Sequence, residues 1–534
     1  MKVNGSPWRS VLGTAGVVLV IAFLSLLMSP KINRVSEDES TMVYDGQRVA
    51  QGQVPYRDFF SFCPPGTFYL LAASSKGITD RPETAGRYMV LVAALLSWAG
   101  CYVLLRRVLD GLFAYLLSAL FPVCIYPFAS YSPHHWLGTC SLVWAAVVAA
   151  KLLDQPTRKW GWILLGSCAG LTGWFMQTEG ALCAVMILLA ALVTSKTPKV
   201  AAQRLAYGFI ACAATSALLW SPVILAGGVT GAWADVIAWP ISHYDRPGNP
   251  NDLPLLVDLP GRVSSLWKAV GLGHGAFDLA VALSGTLLYA AIALGACAAL
   301  VAAICVLVSA LARRKLPSGF VTVASMFGLL TAGSFAKINP TWVHLVYVLL
   351  PSIPFFIAAS VGGRATNGKG RRTVLFAAVL LLACGVVYHG RALVHHFPHG
   401  WELVDVDRVD RESPLNRSLR EGGLLRKGDT LVVLPSGGNV YLYTAPAAIG
   451  YTYLFPLQDR YHDLHDHWVA ARQILERKPR IVIIHKVRYA AFMVPKDPLS
   501  AVLKERYARI AETPAVVVLG LRGSRPEVTP EEAP

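Results

Sequence analysis

The sequence predicts a polytopic α-helical membrane protein of about eleven spans, followed by a small C-terminal α/β domain outside the cytoplasm. Of its 534 residues 54% are hydrophobic and 15% charged, whereas soluble domains carry about 25% charged residues. The mean hydropathy is +0.48. The apolar residues gather into long runs up to residue 388 and into short, strand-like runs beyond it.

The long runs are Val11–Met28, Tyr88–Leu105, Leu112–Phe128, Leu137–Leu153, Trp162–Phe175, Ala181–Thr194, Ala206–Ala226, Leu279–Leu311, Phe320–Ala336, Trp342–Val361 and Val374–Tyr388. A crossing needs about 17–25 residues, so most are long enough, and Leu279–Leu311 is long enough to tilt strongly. Trp162–Phe175 and Ala181–Thr194 are short, and removing both leaves the rest of the topology unchanged. The first run follows a basic start but lacks a small-residue cleavage site, so an uncleaved helix is expected.

Basic residues fall in alternate loops. They are Lys2 and Arg9; Arg106 and Arg107; Lys151, Arg158 and Lys159; Lys196, Lys199 and Arg204; Arg313, Arg314 and Lys315; and Arg364, Lys369, Arg371 and Arg372. If every run crosses, all lie on one side, which the positive-inside rule makes cytoplasmic. The expected location is a bacterial inner membrane with the N-terminus inside. The 34–86 loop, the His134-His135 loop, the 227–278 loop and the tail then lie outside. The expected domains are 1–390, transmembrane, and 391–525, α/β, with a disordered 526–534.

In the tail, TLVVLP (Thr430–Pro435), VYLYT (Val440–Thr444), IVIIH (Ile481–His485) and AVVVLGL (Ala515–Leu521) read as strands. His467–Arg477 and Pro498–Ile510 read as helices, which suggests a partly parallel sheet. Helical character is also expected at Met42–Gln51, Pro65–Lys76 and Val263–Val270. The net charge of +16 sits largely in short loops between apolar runs, with no basic-aromatic module, so nucleic acid is not an expected partner. The cysteines lie in apolar runs except Cys63, which excludes a disulfide framework or a zinc pattern.

Chemistry concentrates in RVSEDESTMVYDGQRVAQGQVPYRDFFSFCPPG, residues 34–66. Asp38 and Glu39 lie at a membrane boundary, where a carboxylate of tuned pKa can act as general base. A solvated loop acid is the other reading, and spacing alone favours it. Arg48 and Arg57 suit bidentate phosphate recognition or contact with lipid headgroups. His134-His135 would serve an acceptor or metal, or simply mark an interface. Glu179, near a membrane edge, is a functional candidate or marks a turn. In YHDLHDHW, the spacing of His462, His465, Asp466 and His467 fits a metal, although a solvated helix start is favoured. His389, His395, His396 and His399 read as the membrane exit.

The pattern Asp38-Glu39, Tyr44, Arg48, Gly52, Pro55-Tyr56-Arg57-Asp58-Phe59 and Pro64-Pro65-Gly66 resembles the first outer loop of the type-C (GT-C) integral-membrane glycosyltransferases. It is most similar to the bacterial branch of protein O-mannosyltransferases and the lipid A aminoarabinose transferase. GDTLVVLP, ERKPRIVIIH and NPTWVHLVYVLLP (Asn339–Pro351) also resemble segments of that branch.

The resemblance implies transfer of a sugar from a polyprenyl-phosphate carrier to an extracytoplasmic glycan, lipid or protein. It makes Asp38 the general base and Glu39 its neighbour. Arg48, Arg57, Lys337 and His344 become binders of the donor phosphate. Asp58, His134, His135 and Glu179 remain acceptor or secondary candidates. The chain departs from the pattern at Phe62-Cys63, where many members have a lysine, at SYSPHHW, where several have an acid, and at FMQTEG, where a basic residue is common. The sugar and a divalent metal ion therefore stay open, and no other cofactor is implied. A transporter or flippase of a lipid-linked sugar would explain the spans without catalysis, but such carriers usually show repeated halves and none is visible here. A membrane scaffold would leave the 34–66 loop unexplained.

Overall fold

The computed structural model describes residues 7–27, 37–77, 82–107, 109–129, 133–243, 261, 263, 264, 267, 268, 276–313, 368–396, 414–422, 424–452, 454 and 464–523. The helices are α1 (Pro7–Leu27), α2 (Glu37–Ala50), α3 (Gly66–Gly77), α4 (Pro82–Leu105), α5 (Gly111–Leu120), α6 (Pro133–Asp154), α7 (Lys159–Phe175), α8 (Gln177–Thr194) and α9 (Pro198–Leu225). They continue as α10 (Val229–Ala232), α11 (Trp239–His243), α12 (Ala276–Arg313) and α13 (Gly368–His396). Beyond these lie α14 (Pro414–Glu421), α15 (Gly438–Tyr443), α16 (Leu464–Arg477), α17 (Tyr489–Phe492) and α18 (Pro498–Arg506), with strands β1 (Leu431–Leu434), β2 (Ile481–His485), β3 (Tyr507–Glu512) and β4 (Val516–Leu521).

The apolar runs coincide with α1, α4 to α9, α12 and α13. Phe320–Ala336 and Trp342–Val361 lie outside the described residues. Among those residues, four helical stretches are long and apolar enough to cross a membrane, namely Thr84–Leu105, Pro133–Asp154, Pro198–Leu225 and Arg372–Arg391. The run Leu112–Phe128 is not one regular helix: α5 widens into a π turn at Phe121–Ile125, with Pro122 in its first turn, and tightens into a 3-10 turn at Tyr126–Ala129. Asp110 caps α5 by accepting the Phe113 N–H at 3.1 Å.

Two compact units form. The first comprises Met1–Asn33, Arg87–Leu219 and Pro250–Leu403; the second comprises Arg34–Gly86, Trp220–Asn249 and Val404–Pro534.

In the first unit small residues set the helix approach. A Cβ on Gly166 of α7 would strike the Gly208 carbonyl of α9, and one on Gly170 would lie 2.8 Å from the Cys212 carbonyl. Trp136 of α6 is fully buried, edge-on to Phe121 and Tyr126. His389 lies within α13 and is buried, its Nε2 3.2 Å from the Cys124 carbonyl.

The second unit is built on a mixed sheet of order β1-β2-β4-β3, with β1–β2 parallel and the other pairs antiparallel. Both faces of β1, β2 and β4 are covered, which is why these three strands read as nearly unbroken apolar runs, whereas β3 is largely exposed. Val432, Leu434, Val482, Ile484, Val517 and Leu519 pack against α16 and α18. Leu431, Val433, Ile481, Ile483, Val516 and Val518 pack with Leu419, Tyr441 and Tyr44 of α2. The 34–66 loop thus shares a core with the C-terminal sheet.

Two expectations for the tail fail. Val440–Thr444 is not a strand: Val440–Tyr443 belongs to helix α15 and Thr444 is its C-cap; the Tyr441 hydroxyl oxygen accepts the Val433 N–H at 2.7 Å and its ring stacks on Tyr44, so the segment roofs the sheet. The helix expected over Pro498–Ile510 ends at Arg506, and Tyr507–Glu512 pairs with β4 as an edge strand. In both places tertiary packing overrides local preference. Edge strand β3 carries Arg509 and Glu512, and Glu512 also pairs with Lys486, charges that discourage further strand pairing.

The α7–α9 contact makes a direct prediction. Gly170→Leu should destabilise the protein by about 1–3 kcal/mol or more, read as a lower melting temperature in detergent. Gly390→Ala, with open space at its Cβ, should not. Equal melting of Gly170→Leu and wild type would refute the close approach.

Candidate functional site

Asp38 lies in the first turn of α2, where acids favour the helix dipole. Its side chain lies outside the described residues. Glu39, beside it, is buried. The next turn is pressed against the start of α15: a Cβ on Gly438 would collide with Ser40 and the Thr41 backbone nitrogen. Tyr44, one turn further, has its ring on Tyr441 and its hydroxyl oxygen accepting the Ala447 N–H at 2.8 Å. The beginning of α2 is therefore held on a rigid support.

Asp45 and Arg48 share α2 one turn apart, and both are buried, at 2% and 5% exposure. Arg48 donates from Nε to Gln53 Oε1 at 2.7 Å, from one Nη to the Gly450 carbonyl at 3.4 Å and from the other to the Asp58 carbonyl at 3.3 Å. Its guanidinium lies 4.4 Å from the Phe59 ring centroid. Asp45 accepts from Thr452 Oγ1 at 3.3 Å. Burial pushes the Asp45 carboxyl up to about 7, against the opposing pull of Arg48 and Thr452.

The Pro55–Phe59 stretch is a tight turn. The Asp58 carboxylate accepts the Val54 N–H at 2.7 Å, and the Tyr56 N–H reaches the Phe59 carbonyl at 2.8 Å. Tyr56 has φ +68°, a left-handed conformation costly for a bulky residue. It is held there by its hydroxyl bond to the Cys63 carbonyl at 2.6 Å and by stacking on Trp220. Arg57 makes a two-point pair with Asp58, at 2.9 and 2.8 Å, and its other Nη reaches the Ala226 carbonyl at 3.3 Å. The hydrogen bond from Arg57, first among the causes, holds the Asp58 carboxyl below its ordinary range. Arg48 is enclosed, whereas the Arg57 side chain stays 47% exposed.

In the first unit His134 and His135 stand in the first turn of α6 rather than in a loop. Their rings lie 4.0 Å apart, and His135 is buried. Glu179, in the first turn of α8, is buried too. Its Oε1 accepts from Thr139 at 3.4 Å, its Oε2 has no partner among the described residues, and it fills the space a Cβ on Gly138 would need. Gly138 and Thr139 lie one turn along α6 from His135, so these three candidates gather at one end of α6 and α8. Lys337, His344 and His462 lie outside the described residues.

Asp466 and His467 do not form a solvated helix start, as expected, but are buried. Asp466 accepts the Tyr451 hydroxyl at 2.8 Å, and His467 Nδ1 lies 2.5 Å from Asp497 Oδ2, which joins α16 to the N-cap of α18. Among the described residues no group of three or more His, Cys, Asp or Glu could hold a metal ion.

Sequence reasoning passed over Asp45 and Asp235. Asp45 could have been found as the acid one turn before Arg48. Asp235 accepts the Ser61 N–H at 3.3 Å and is pushed up to about 7, mainly by burial and further by Asp466; nothing local marks it.

The folded protein holds the Asp45 proton more tightly than the unfolded chain, so stability falls as pH rises from about 4 through about 7. Asp45→Asn should remove that component, on the order of 4 kcal/mol across the window. Melting temperatures of wild type and Asp45→Asn, measured from pH 4 to 8, should diverge in favour of the variant as pH rises. Parallel curves would refute the buried, protonated Asp45.

No protein-family model and no curated protein sequence matches the chain. Solved structures do. ArnT from Cupriavidus metallidurans bound to undecaprenyl phosphate aligns with TM-score 0.56 and 12% identity, over 96% of this chain and 99% of that one. The Archaeoglobus fulgidus oligosaccharyltransferase in the apo form aligns with TM-score 0.51 and 13% identity, over 92% and 72%. A complex of that enzyme with Zn and sulfate aligns with TM-score 0.50 and 13% identity, over 94% and 73%. With this likeness and its apolar helices, the chain is a multi-pass membrane protein with the fold of the GT-C glycosyltransferases.

Proposed function

We propose that the chain is a glycosyltransferase that moves a sugar from a polyprenyl-phosphate carrier to an acceptor on the extracytoplasmic side, a cell-envelope glycan, lipid or protein. The observation that carries this reading is the fold shared with ArnT, in a structure bound to undecaprenyl phosphate, along nearly the whole of both chains. The acid at the start of α2 supports it, because α2 is fixed by Gly438 and Tyr44. Catalytic groups need such rigid support.

In the reaction an acceptor hydroxyl or amine attacks the anomeric carbon while the bond from that carbon to the phosphate oxygen breaks. Asp38 takes the acceptor's proton, and Glu39 adjoins it. The lipid phosphate leaves carrying the bonding electrons. Its charge is met by Arg57, exposed and aligned by Asp58, together with Lys337 and His344. Arg48, enclosed by Gln53, Asp58 and Gly450, contributes its positive charge from behind the turn. His134, His135 and Glu179 are assigned to the acceptor. A divalent metal would polarise the leaving phosphate; because the described residues offer no cluster for one, no step is assigned to it.

Membranes expressing the wild type, supplied with labelled polyprenyl-linked sugar extract, should transfer label. Asp38→Asn should lower transfer by about 10²–10⁴-fold with the protein still inserted and folded. Arg57→Ala should weaken transfer more at low donor concentration than at saturation. Equal transfer by wild type and Asp38→Asn would remove Asp38 from the chemistry, and no transfer by the wild type with several carriers offered would favour a transporter.

A further inference from the structure

The segment that follows α9 has its polarity inverted. Between Leu225 and Ser242 the only charged residue is Asp235, and it is turned inward to accept the Ser61 N–H. The exposed positions are mostly apolar: Leu225, Val229, Trp233, Ala234, Ala238 and Ile241 are all exposed, and the polar residues among them, Thr230 and Ser242, are uncharged. Leu225 is 86%, Trp233 67% and Ile241 72% exposed. A water-facing helix would show the reverse arrangement.

The inner side is tightly fitted to the 55–62 stretch. A Cβ on Gly231 would collide with the Tyr56 carbonyl. Tyr56, Ala232 and Val236 form one buried cluster with Val223, and Trp239 stacks on Phe62. Rotation of the segment to hide its apolar face would break these contacts.

We propose that this outward face rests in the headgroup–acyl boundary of the lipid bilayer and seats the Pro55–Phe62 turn on the membrane surface. Lipid is the fitting occupant for two reasons. The face continues the exposed apolar side of α9, including Ile224 and Leu225, and α9 is itself a membrane-spanning candidate. It also carries an exposed tryptophan and no charge, the composition of a helix lying in the interface. From Val229 to Ser242 is about 20 Å of helix, against about 30 Å of hydrocarbon, so the segment is too short to cross. This inference stands independently of the proposed chemistry.

The test uses the full-length protein in nanodiscs of phosphatidylcholine and phosphatidylglycerol. A photo-reactive p-benzoylphenylalanine replaces Trp233, Ile241 or, as a water-facing comparison, Arg472, which is exposed on α16. After irradiation, intact mass should show phospholipid adducts at the Trp233 and Ile241 positions and only background at Arg472. Lipid adducts at Trp233 and Ile241 no more frequent than at Arg472 would overturn the proposal, as would adducts there to a second copy of the chain. Two separate positions guard against local damage, and unchanged melting temperatures confirm that each substituted protein is folded.

Discussion

The second unit depends on one buried cation. Arg48 has lost almost all contact with water, and a buried charge is tolerated only when its hydrogen-bonding capacity is met. The acceptors come from three places: the Gln53 side chain, the Asp58 carbonyl in the turn, and the Gly450 carbonyl 402 positions away. Phe59 closes the guanidinium face, and Asp45 lies buried one turn before Arg48 on α2. No shorter piece of chain can satisfy this side chain. The α2 helix, the turn after it and the C-terminal sheet must therefore be assembled together.

That dependence changes the meaning of the sequence pattern in the 34–66 loop. Tyr44, Tyr56 and Asp58 each hold backbone in place: Tyr44 joins the sheet core, Tyr56 locks a left-handed turn, and Asp58 binds the Val54 N–H while aligning Arg57. A motif of polar and aromatic residues at a membrane boundary reads as chemistry. Here most of its members build the support, and the residues left to face a substrate are few. Asp38 lies in the first turn of the braced helix, and Arg57 stands half-exposed on the rim of the turn.

The long helices were legible because hydropathy and length act within a single segment. LVVL, IVIIH and VVVLGL were legible because both faces of these strands are covered, so every residue but His485 is apolar. VYLYT has the same composition and becomes helix α15, because its tyrosine is captured by Val433 and Tyr44. The buried acids were the hardest to find. Asp45 meets Thr452 from 407 positions away, and Asp235 meets Ser61 from 174. Partners that distant leave no local period or spacing, and a single sequence does not assemble them.

The compactness of the second unit also constrains how the chain threads the membrane. It gathers residues that follow α1, precede α4, follow α9 and follow α13. A unit with one shared core cannot straddle a bilayer, since its polar backbone and buried hydrogen bonds would have to cross hydrocarbon. All these helix ends must then lie on one side. An even number of crossings is required between α1 and the end of α9, which the six helices α4 to α9 meet if each crosses. If α7 and α8 are taken together as a pair that does not cross, the number remains even. The same requirement between α9 and the end of α13 is met by α12, α13 and the two apolar runs at Phe320–Ala336 and Trp342–Val361, if each run crosses.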